Sequence, residues 1–251
     1  ILSIQLIRKP DQTVGEFNEG KIIDNKPIGF PQEEGAGKPY SLVFYWAHAI
    51  VKQTTQIEEH MHKGFEILTF ILHGELEHFD NHFNSWKKLT AGDLQMMKTR
   101  NGMAHSERLT NGTQLFQIWL DPDLSKYINK DPEYKNYSSD RFPIIMEEGR
   151  STKIYCGKDS PLELDTPGVS IREISLAKGE HQLFIQTGNI LSVYIMEGVG
   201  KANDYNLSQG DFLIVQNQKR LNYYADNDSR LFVLESPKDP PYKTYAQTKR
   251  E

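Results

Sequence analysis

Two pairs of residues, each separated by a single position, contain side chains that bind metals. His60 and His62 form a His-x-His pair, and His105 and Glu107 form a His-x-Glu pair. In a β-strand the members of each pair project from one face, about 6.6–6.8 Å apart along the strand. In a helix the same spacing would turn them by about 200°, onto opposite sides. Three neutral imidazoles and one carboxylate suit a first-row transition metal and leave about two octahedral positions open.

The first pair alone leaves two interpretations open. A His-x-His pair on a strand of a soluble protein also occurs as an exposed or hydrogen-bonded pair without a metal. The second pair favours the metal site, since it follows a turn at Gly102, and pairing of the two strands would bring the four side chains together. We therefore expect a metal centre built from both pairs.

Short apolar runs, rich in β-branched and aromatic residues, supply the elements that position these side chains. Turn segments containing Gly, Asn and Asp separate the runs, and helix signals are scarce. Strands spaced in this way are typical of an antiparallel sandwich or barrel, so the sequence predicts an all-β fold. The predicted strands include residues 41–50, 65–72, 115–120, 189–196, 211–216 and 230–236.

A faint internal repeat indicates that the β-domain is duplicated. The segment LTAGDLQMM (89–97) parallels LSQGDFLIV (207–215), with Leu, Gly and Asp in register. The region after Asp121 contains three prolines and no sustained apolar period, which is typical of a connection between domains. The predicted organisation is an N-terminal metal-binding domain at 1–122, a linker at 123–149, and a C-terminal domain at 150–251 that ends in a polar tail.

The repeat also predicts that the second domain holds no metal. Transferring the repeat offsets places one histidine and three side chains without ligand atoms of the required kind opposite the four expected ligands. These counterparts are His181, Leu183, Tyr223 and Ala225. Packing or partner contact is the expected role of that domain.

Composition limits the classes of partner. The chain has 251 residues, 29 basic and 34 acidic, with a net charge of −5, and no cluster of Lys and Arg suited to a phosphate backbone, so we expect no direct nucleic-acid binding. No apolar run approaches the roughly 18 residues of a membrane span. The single cysteine, Cys156, suits a reducing compartment, and we expect a cytoplasmic protein. The sequence starts at Ile1 rather than at a methionine, so whether a signal peptide was removed is left open.

Two segments resemble the pirin branch of the cupin superfamily. HMHKGFEILTFILHGELEHFDN (60–81) and LTAGDLQMMKTRNGMAHSE (89–107) are similar to the family pattern HPHRGFE, EGELEH, PGDLQWM and GRGILHAE. The similarity covers residues 58–108 almost without gaps. Met61 and Lys63 depart from the pattern without replacing an expected ligand. The resemblance implies two tandem cupin domains, which are β-barrels of the jelly-roll type.

The resemblance also implies a ligand set. Pirins bind one iron ion through residues that fall here on His60, His62, His105 and Glu107. In cupins generally Glu66 would be the carboxylate ligand, whereas pirins keep this glutamate away from the metal, so we expect Glu66 to have a supporting role. Manganese, nickel, copper and zinc also accept this donor set. Among the other histidines, a place of His78 at the pocket mouth stays open as the less favoured interpretation, and we expect His73 and His82 exposed at turns.

The resemblance implies an activity and one alternative. Some pirins act as quercetin 2,3-dioxygenases, which suggests an oxidoreductase that cleaves a flavonol-like aromatic substrate with O2, with Glu107 as a ligand and as the proton acceptor. Other pirins are iron-dependent, redox-sensitive transcriptional co-regulators that act through protein partners. A cavity open to the metal would favour the enzyme, and a charged strip above a closed metal would favour the co-regulator. A metal-free β-protein is the third hypothesis. The sequence does not determine the oligomeric state.

Overall fold

Short antiparallel strands account for most of the regular structure, which confirms the predicted all-β fold. The computed structural model describes residues 3–35, 37–80 and 83–249, so the predicted exposure of His82 lies outside the described residues. Within these ranges, no helix is long and apolar enough to cross a membrane.

The first part of the chain contains twelve strands and one short helix: β1 (Ser3–Ile7), β2 (Thr13–Phe17), β3 (Ile22–Ile28), β4 (Val43–Val51), β5 (Thr55–His62), β6 (Glu66–His73), β7 (Glu75–Asp80), β8 (Ser85–Thr90), β9 (Leu94–Lys98), β10 (Met103–Leu109), β11 (Gln114–Leu120), α1 (Leu124–Tyr127) and β12 (Glu133–Tyr137). The remaining part contains β13 (Ile144–Glu147), β14 (Arg150–Cys156), β15 (Ser170–Leu176), β16 (Gly179–Phe184), β17 (Asn189–Glu197), β18 (Gly200–Ala202), β19 (Tyr205–Leu207), β20 (Phe212–Gln216), β21 (Arg220–Ala225), β22 (Ser229–Pro237) and α2 (Tyr245–Thr248). Single 3₁₀ turns lie at Lys9–Asp11 and Ser139–Arg141.

One of two compact units, called the N-terminal unit here, comprises Gln12–Ser139, Leu164–Thr166 and the segment from Tyr242 onward. Its strands form a seven-stranded sheet in the order β12-β9-β6-β11-β4-β3-β2 and a four-stranded sheet in the order β5-β10-β7-β8. Both sheets contribute to one aliphatic core, because the strands alternate apolar and polar side chains. This core contains Ile22, Ala49, Val51, Ile71, Leu76, Leu89, Leu109 and Leu115.

The second unit, called the C-terminal unit, comprises the segment through Asp11, Asp140–Glu163 and Pro167–Pro241. It repeats the pair of sheets, with the orders β1-β20-β17-β22-β15-β14-β13 and β16-β21-β18-β19. Its interior is filled by a larger cluster of buried apolar side chains drawn from both sheets. Two jelly-roll β-domains of the cupin type are therefore present, as predicted.

The observed units differ from the predicted boundaries of 1–122, 123–149 and 150–251. Strand β1 pairs with β20 in the C-terminal unit, and β12 from the predicted linker pairs with β9 in the N-terminal unit. The C-terminal tail and the short segment Leu164–Thr166 also belong to the N-terminal unit. Strand pairing over such sequence distances depends on partners that a local pattern does not identify, so composition alone misplaced these segments.

The proposed repeat has a structural counterpart in two matching turns. Asp93 accepts a hydrogen bond from the Thr90 N–H at 2.8 Å, and Asp211 accepts one from the Ser208 N–H at 3.0 Å. The glycine before each aspartate has a positive φ, 90° at Gly92 and 91° at its counterpart, a conformation that glycine adopts without steric cost. The Gly-Asp pairs thus close equivalent hairpins in the two units.

The C-terminal tail is anchored to the N-terminal unit by one buried carboxylate. The two oxygens of Asp121 each accept a hydrogen bond at 3.0 Å, one from the Tyr245 N–H and one from the Ala246 N–H. The Tyr242 hydroxyl donates to the Asp121 carbonyl at 2.8 Å. Asp121 therefore satisfies backbone donors at the start of α2 and holds Tyr245 against the aromatic residues of this unit.

We expect an Asp121→Asn substitution to release the tail. The amide nitrogen would face a backbone N–H, which removes one hydrogen bond and leaves a buried donor unpaired, at a cost of about 1–3 kcal/mol. Hydrogen exchange of the amides of Tyr245 and Ala246 measures the effect. Asp123→Asn is the matched control, since Asp123 accepts from the Ser125 N–H at the start of α1 instead. Equal exchange rates in wild type and Asp121→Asn would contradict the proposed anchor.

Candidate metal centre

A bulge on β5 directs the first histidine pair into the N-terminal unit. Opposite β10, His60 pairs with His105 and Ile57 pairs with Glu107, so two residues of β5 face one residue of β10. Ile57 and His60 are three positions apart, and a regular strand would place them on opposite faces. The extra residue in the bulge lets both face the interior, and His62 follows on the same side.

The three predicted histidine ligands lie together. One ligand nitrogen from each of His60, His62 and His105 can be chosen so that all lie within 4.8 Å of one another. The Nε2 atoms of His60 and His105 are 2.9 Å apart. Two nitrogen ligands at right angles on one ion, with bonds of about 2.0–2.1 Å, are about 3.0 Å apart. The spacing thus fits two ligands of one ion.

The hydrogen bonds of His60 leave a ligand atom available. Its Nδ1 lies 2.9 Å from the Glu58 carbonyl oxygen, which can only accept, so Nδ1 carries the proton. The lone pair of His60 is then on Nε2, the atom that faces His105. Burial lowers the pKa of His62 to about 3 and also lowers the pKa of His105, with the neighbouring imidazoles as the next cause. Both rings are therefore neutral near pH 7, as metal ligands must be.

The predicted carboxylate ligand lies on another side of His105. Glu107 is buried, its Oε1 is 3.7 Å from the His105 Nδ1, and the Gln95 side chain donates to the same oxygen at 3.3 Å. The ligand atoms of Glu107, His78 and His105 lie within 4.8 Å of one another. Glu107 does not belong to the corresponding group of His60, His62 and His105. The structure thus brings all four predicted residues to one location and leaves Glu107 beside the imidazole group.

Three residues that the sequence analysis did not assign to the site complete the cluster. His78 is fully buried rather than at a pocket mouth, and its Nε2 lies 2.9 Å from the Asp80 Oδ2. Tyr134, from the predicted linker, stacks on the His78 ring at 4.1 Å with an interplanar angle of 12°. His78 and Asp80 have the same two-residue spacing as the ligand pairs, a signal that could have identified them. No local sequence pattern identified Tyr134 as part of this cluster.

Glu66 has a structural role and does not join the metal cluster. Its Oε1 accepts hydrogen bonds from the N–H and hydroxyl of Thr166 at 2.8 and 2.7 Å, and its Oε2 accepts one from the Asp165 N–H. Burial raises the pKa of Glu66 to about 7, against the opposing effect of these bonds. The supporting role expected from the resemblance agrees with this geometry, since both oxygens are occupied by the segment 164–166.

Aromatic side chains form a wall beside the histidines. His62 contacts Trp119 edge-on, with ring centroids 5.1 Å apart. Trp119 in turn contacts Phe65 at 5.4 Å and Phe30 at 5.2 Å, and Tyr245 from the tail packs against Phe65. These rings make the surroundings of the histidines apolar.

A small cavity, lined mostly by apolar side chains, lies next to Glu107. Its volume is about 30 Å³, and its lining includes Asp24, Tyr45, Gln117 and Glu107. This volume is enough for about two water molecules. The Oδ2 of Asp24 has no hydrogen-bond partner, although the side chain is only 1% exposed. Burial, together with nearby Glu33 and opposed by Lys26, raises the pKa of Asp24 to about 6.

The counterpart positions in the C-terminal unit are arranged for packing. Leu183, Tyr223 and Ala225 are buried in its apolar core, and the His181 Nε2 donates to the Ala177 carbonyl at 2.7 Å. An open groove of about 430 Å³ lies on this unit, lined by polar residues that include His181. The same fold thus presents a histidine cluster in one unit and apolar side chains in the other.

Comparison with known proteins gives relatives that cover most of the chain. Residues 28–120 match the family model described as Pirin. The chain is 32% identical over 204 residues to Pirin-1 of Arabidopsis thaliana, covering 77% of this chain and 67% of that protein. It is 26% identical over 188 residues to the quercetin 2,3-dioxygenase of Escherichia coli (strain K12), covering 71% of this chain and 75% of that protein.

A solved structure has the same fold. The bacterial pirin YhhW of Escherichia coli, in complex with nickel(II), superposes with a TM-score of 0.79, covering 94% of this chain and 99% of that one. At 20% sequence identity this likeness concerns the fold. Two jelly-roll units in tandem are thus shared with that structure.

We expect a Glu66→Gln substitution to lower the free energy of unfolding by about 1–3 kcal/mol, because the new amide would face the Asp165 N–H and leave a buried donor unpaired. Metal content per chain should not change, because Glu66 is occupied by backbone donors. Chemical denaturation and metal analysis measure the two quantities. Glu163→Gln, at an exposed site, is the control. Loss of metal without loss of stability would instead identify Glu66 as a ligand.

We expect an Asp24→Asn substitution to stabilise the protein in a pH-dependent way. The unfolded carboxyl ionises near pH 4 and the folded one near pH 6, so the folded state holds the proton more tightly and loses stability as pH rises between these values. Above pH 6 the penalty stays constant, at roughly 3 kcal/mol. Thermal melts should therefore show stabilisation at pH 7.5 and little change at pH 4. Asp204→Asn, at an exposed position, is the control, and stabilisation at both pH values would contradict the prediction.

Proposed function

Because the chain belongs to the pirin family, we propose that it is a metal-dependent dioxygenase that cleaves a flavonol-like aromatic compound with O2. The observation that carries the proposal is the group of three imidazoles, from His60, His62 and His105, with ligand nitrogens within 4.8 Å of one another. The relatives named quercetin 2,3-dioxygenase support the substrate class and the reaction.

The proposed ligands are His60, His62, His105 and Glu107, for one divalent ion, with iron as the first choice. Three imidazoles and a carboxylate also accept manganese, nickel, copper or zinc, so this donor set does not select among them. The bound ion would supply a Lewis acid for a substrate hydroxyl and a route for electrons to dioxygen. Glu107 is the ligand whose carboxylate must turn from its contact with His105 to reach the other two histidines.

The surrounding residues would bind the substrate and move its proton. Glu107 accepts the proton of the substrate hydroxyl, and Gln95, which donates to one Glu107 oxygen, orients the carboxylate. The wall formed by Trp119, Phe65 and Phe30 offers flat apolar contact for an aromatic ring and excludes water. The unpartnered oxygen of Asp24 can accept a hydrogen bond from a further hydroxyl that reaches the cavity.

We expect metal-reconstituted protein to consume oxygen in the presence of quercetin, at a rate proportional to metal content. His60→Ala removes one ligand and should abolish both metal binding and uptake. An oxygen electrode and metal analysis on the same samples measure the two quantities. His73→Ala is the matched control, because His73 is exposed and its Nδ1 contacts the Gly112 carbonyl, so this variant should keep wild-type uptake.

Two results would contradict the proposal in different ways. Protein that holds one metal per chain but consumes no oxygen would favour the co-regulator hypothesis, in which the metal serves binding of a protein partner. Purified protein without stoichiometric metal, and without uptake after reconstitution, would favour the metal-free hypothesis.

A further inference from the structure

A chain of three buried side chains runs from a carboxylate to the metal centre. The Asp80 Oδ2 is 2.9 Å from the His78 Nε2, and the His78 Nδ1 is 3.2 Å from the His105 Nδ1. Their exposed fractions are 1%, 0% and 1%. Register in the sheet sets this arrangement, since Asp80 on β7 lies directly opposite His105 on β10.

The donors and acceptors of this chain have one consistent direction. As a carboxylate, Asp80 only accepts, so the His78 Nε2 carries a proton and donates to it. The neutral His78 ring then has its lone pair on Nδ1. His105 must donate to that lone pair from its own Nδ1, and its remaining lone pair is on Nε2. This atom faces the His60 Nε2 at 2.9 Å.

We propose that Asp80 and His78 are positioning residues that fix the tautomer of His105 and thereby make its Nε2 available to the metal. The inference rests on the proposed metal centre and concerns two residues that do not bind the ion. Hydrogen bonds of this kind set the orientation and basicity of metal-binding histidines in general. Here the acceptor is a second histidine, which is itself held by a carboxylate.

The same geometry argues against a second metal beside the first. Ligand atoms of His78, His105 and Glu107 also lie within 4.8 Å of one another. The two Nδ1 atoms, however, share a proton in the chain described above, so neither offers a free lone pair between them. Tyr134 stacks on His78 and fixes the plane of its ring, which keeps the hydrogen bond aligned.

In the absence of a cation, this tautomer of His105 is unfavourable where its Nε2 faces the His60 Nε2. When both rings are neutral, their Nε2 atoms present lone pairs across 2.9 Å, without a proton between them. Two acceptors at this distance repel, and a cation between them removes the repulsion. The Asp80–His78 pair therefore favours the metal-bound state at the expense of the metal-free one.

The decisive variant is Asp80→Asn, which keeps the shape and reverses one hydrogen bond. The Asp80 Oδ1 accepts from the Phe83 N–H at 2.8 Å, so the new amide must keep its oxygen there. Its NH2 group then faces the His78 Nε2 as a donor. The His78 proton moves to Nδ1, the His105 Nδ1 becomes the acceptor, and the His105 proton moves to Nε2, where it blocks the metal.

We expect Asp80→Asn to lower metal affinity by about 10- to 100-fold, the usual effect of losing such a partner. The metal-free variant should be at least as stable as metal-free wild type, because the His105 Nε2–H can then donate to His60. A merely structural role of Asp80 would instead lower the stability of the metal-free protein. Zinc affinity by chelator competition and chemical denaturation of metal-free protein measure the two quantities.

Asp93→Asn is the matched control. Asp93 accepts hydrogen bonds from the backbone N–H groups of Thr90 and Ser139, both at 2.8 Å, at a turn outside the histidine cluster. This variant should lose stability and keep zinc affinity, the reverse of Asp80→Asn.

Nitrogen NMR of zinc-loaded wild-type protein tests the inference without a variant. We expect protons on the Nδ1 of His105 and on the Nε2 of His78. A His105 that carries its proton on Nε2, an Asp80→Asn variant with unchanged affinity, or two zinc ions per chain would overturn the inference while leaving the metal centre intact. Wild-type protein that binds no zinc and no iron would instead refute the centre on which the inference rests.

Discussion

The two Nε2 atoms of His60 and His105, 2.9 Å apart in the N-terminal unit, impose the constraint on which the rest of this unit depends. Neutral imidazoles that face each other with lone pairs need a cation between them, and burial lowers the pKa of His105, which keeps that ring from gaining a proton of its own. A fold that holds them in this way is therefore prepared for a metal. The bulge on β5 and the pairing of β5 with β10 provide the backbone geometry.

Buried carboxylates hold the chain segments around this centre. Glu66 binds the segment 164–166, Asp121 binds the C-terminal tail, and Asp80 binds the imidazole behind His105. In each case the carboxylate accepts at least two hydrogen bonds, which offsets part of the cost of removing it from water. Asp24 differs, because one of its oxygens has no partner, and the residue lines the cavity beside Glu107. An unfavourable group of this kind is typical of a functional position.

The two units show that this fold does not determine a metal site. Both contain a seven-stranded and a four-stranded antiparallel sheet, and both close a hairpin with a Gly-Asp turn. In the C-terminal unit the positions equivalent to three of the proposed ligands are apolar or aromatic and are packed in the core. Function therefore depends on a few side chains placed on a shared scaffold, and the family name supports a reaction only together with those side chains.

The sequence by itself determined the all-β class, the duplicated domain and the two pairs of potential ligands, because strand periodicity and two-residue spacing are local properties. It did not determine that Tyr134 from the predicted linker stacks on His78, that β1 pairs with β20, or that the tail binds Asp121. It also did not determine which side of His105 Glu107 occupies or that Asp80 faces His105 across the sheet. These features depend on strand register and on contacts between distant segments, so only the tertiary structure could decide them.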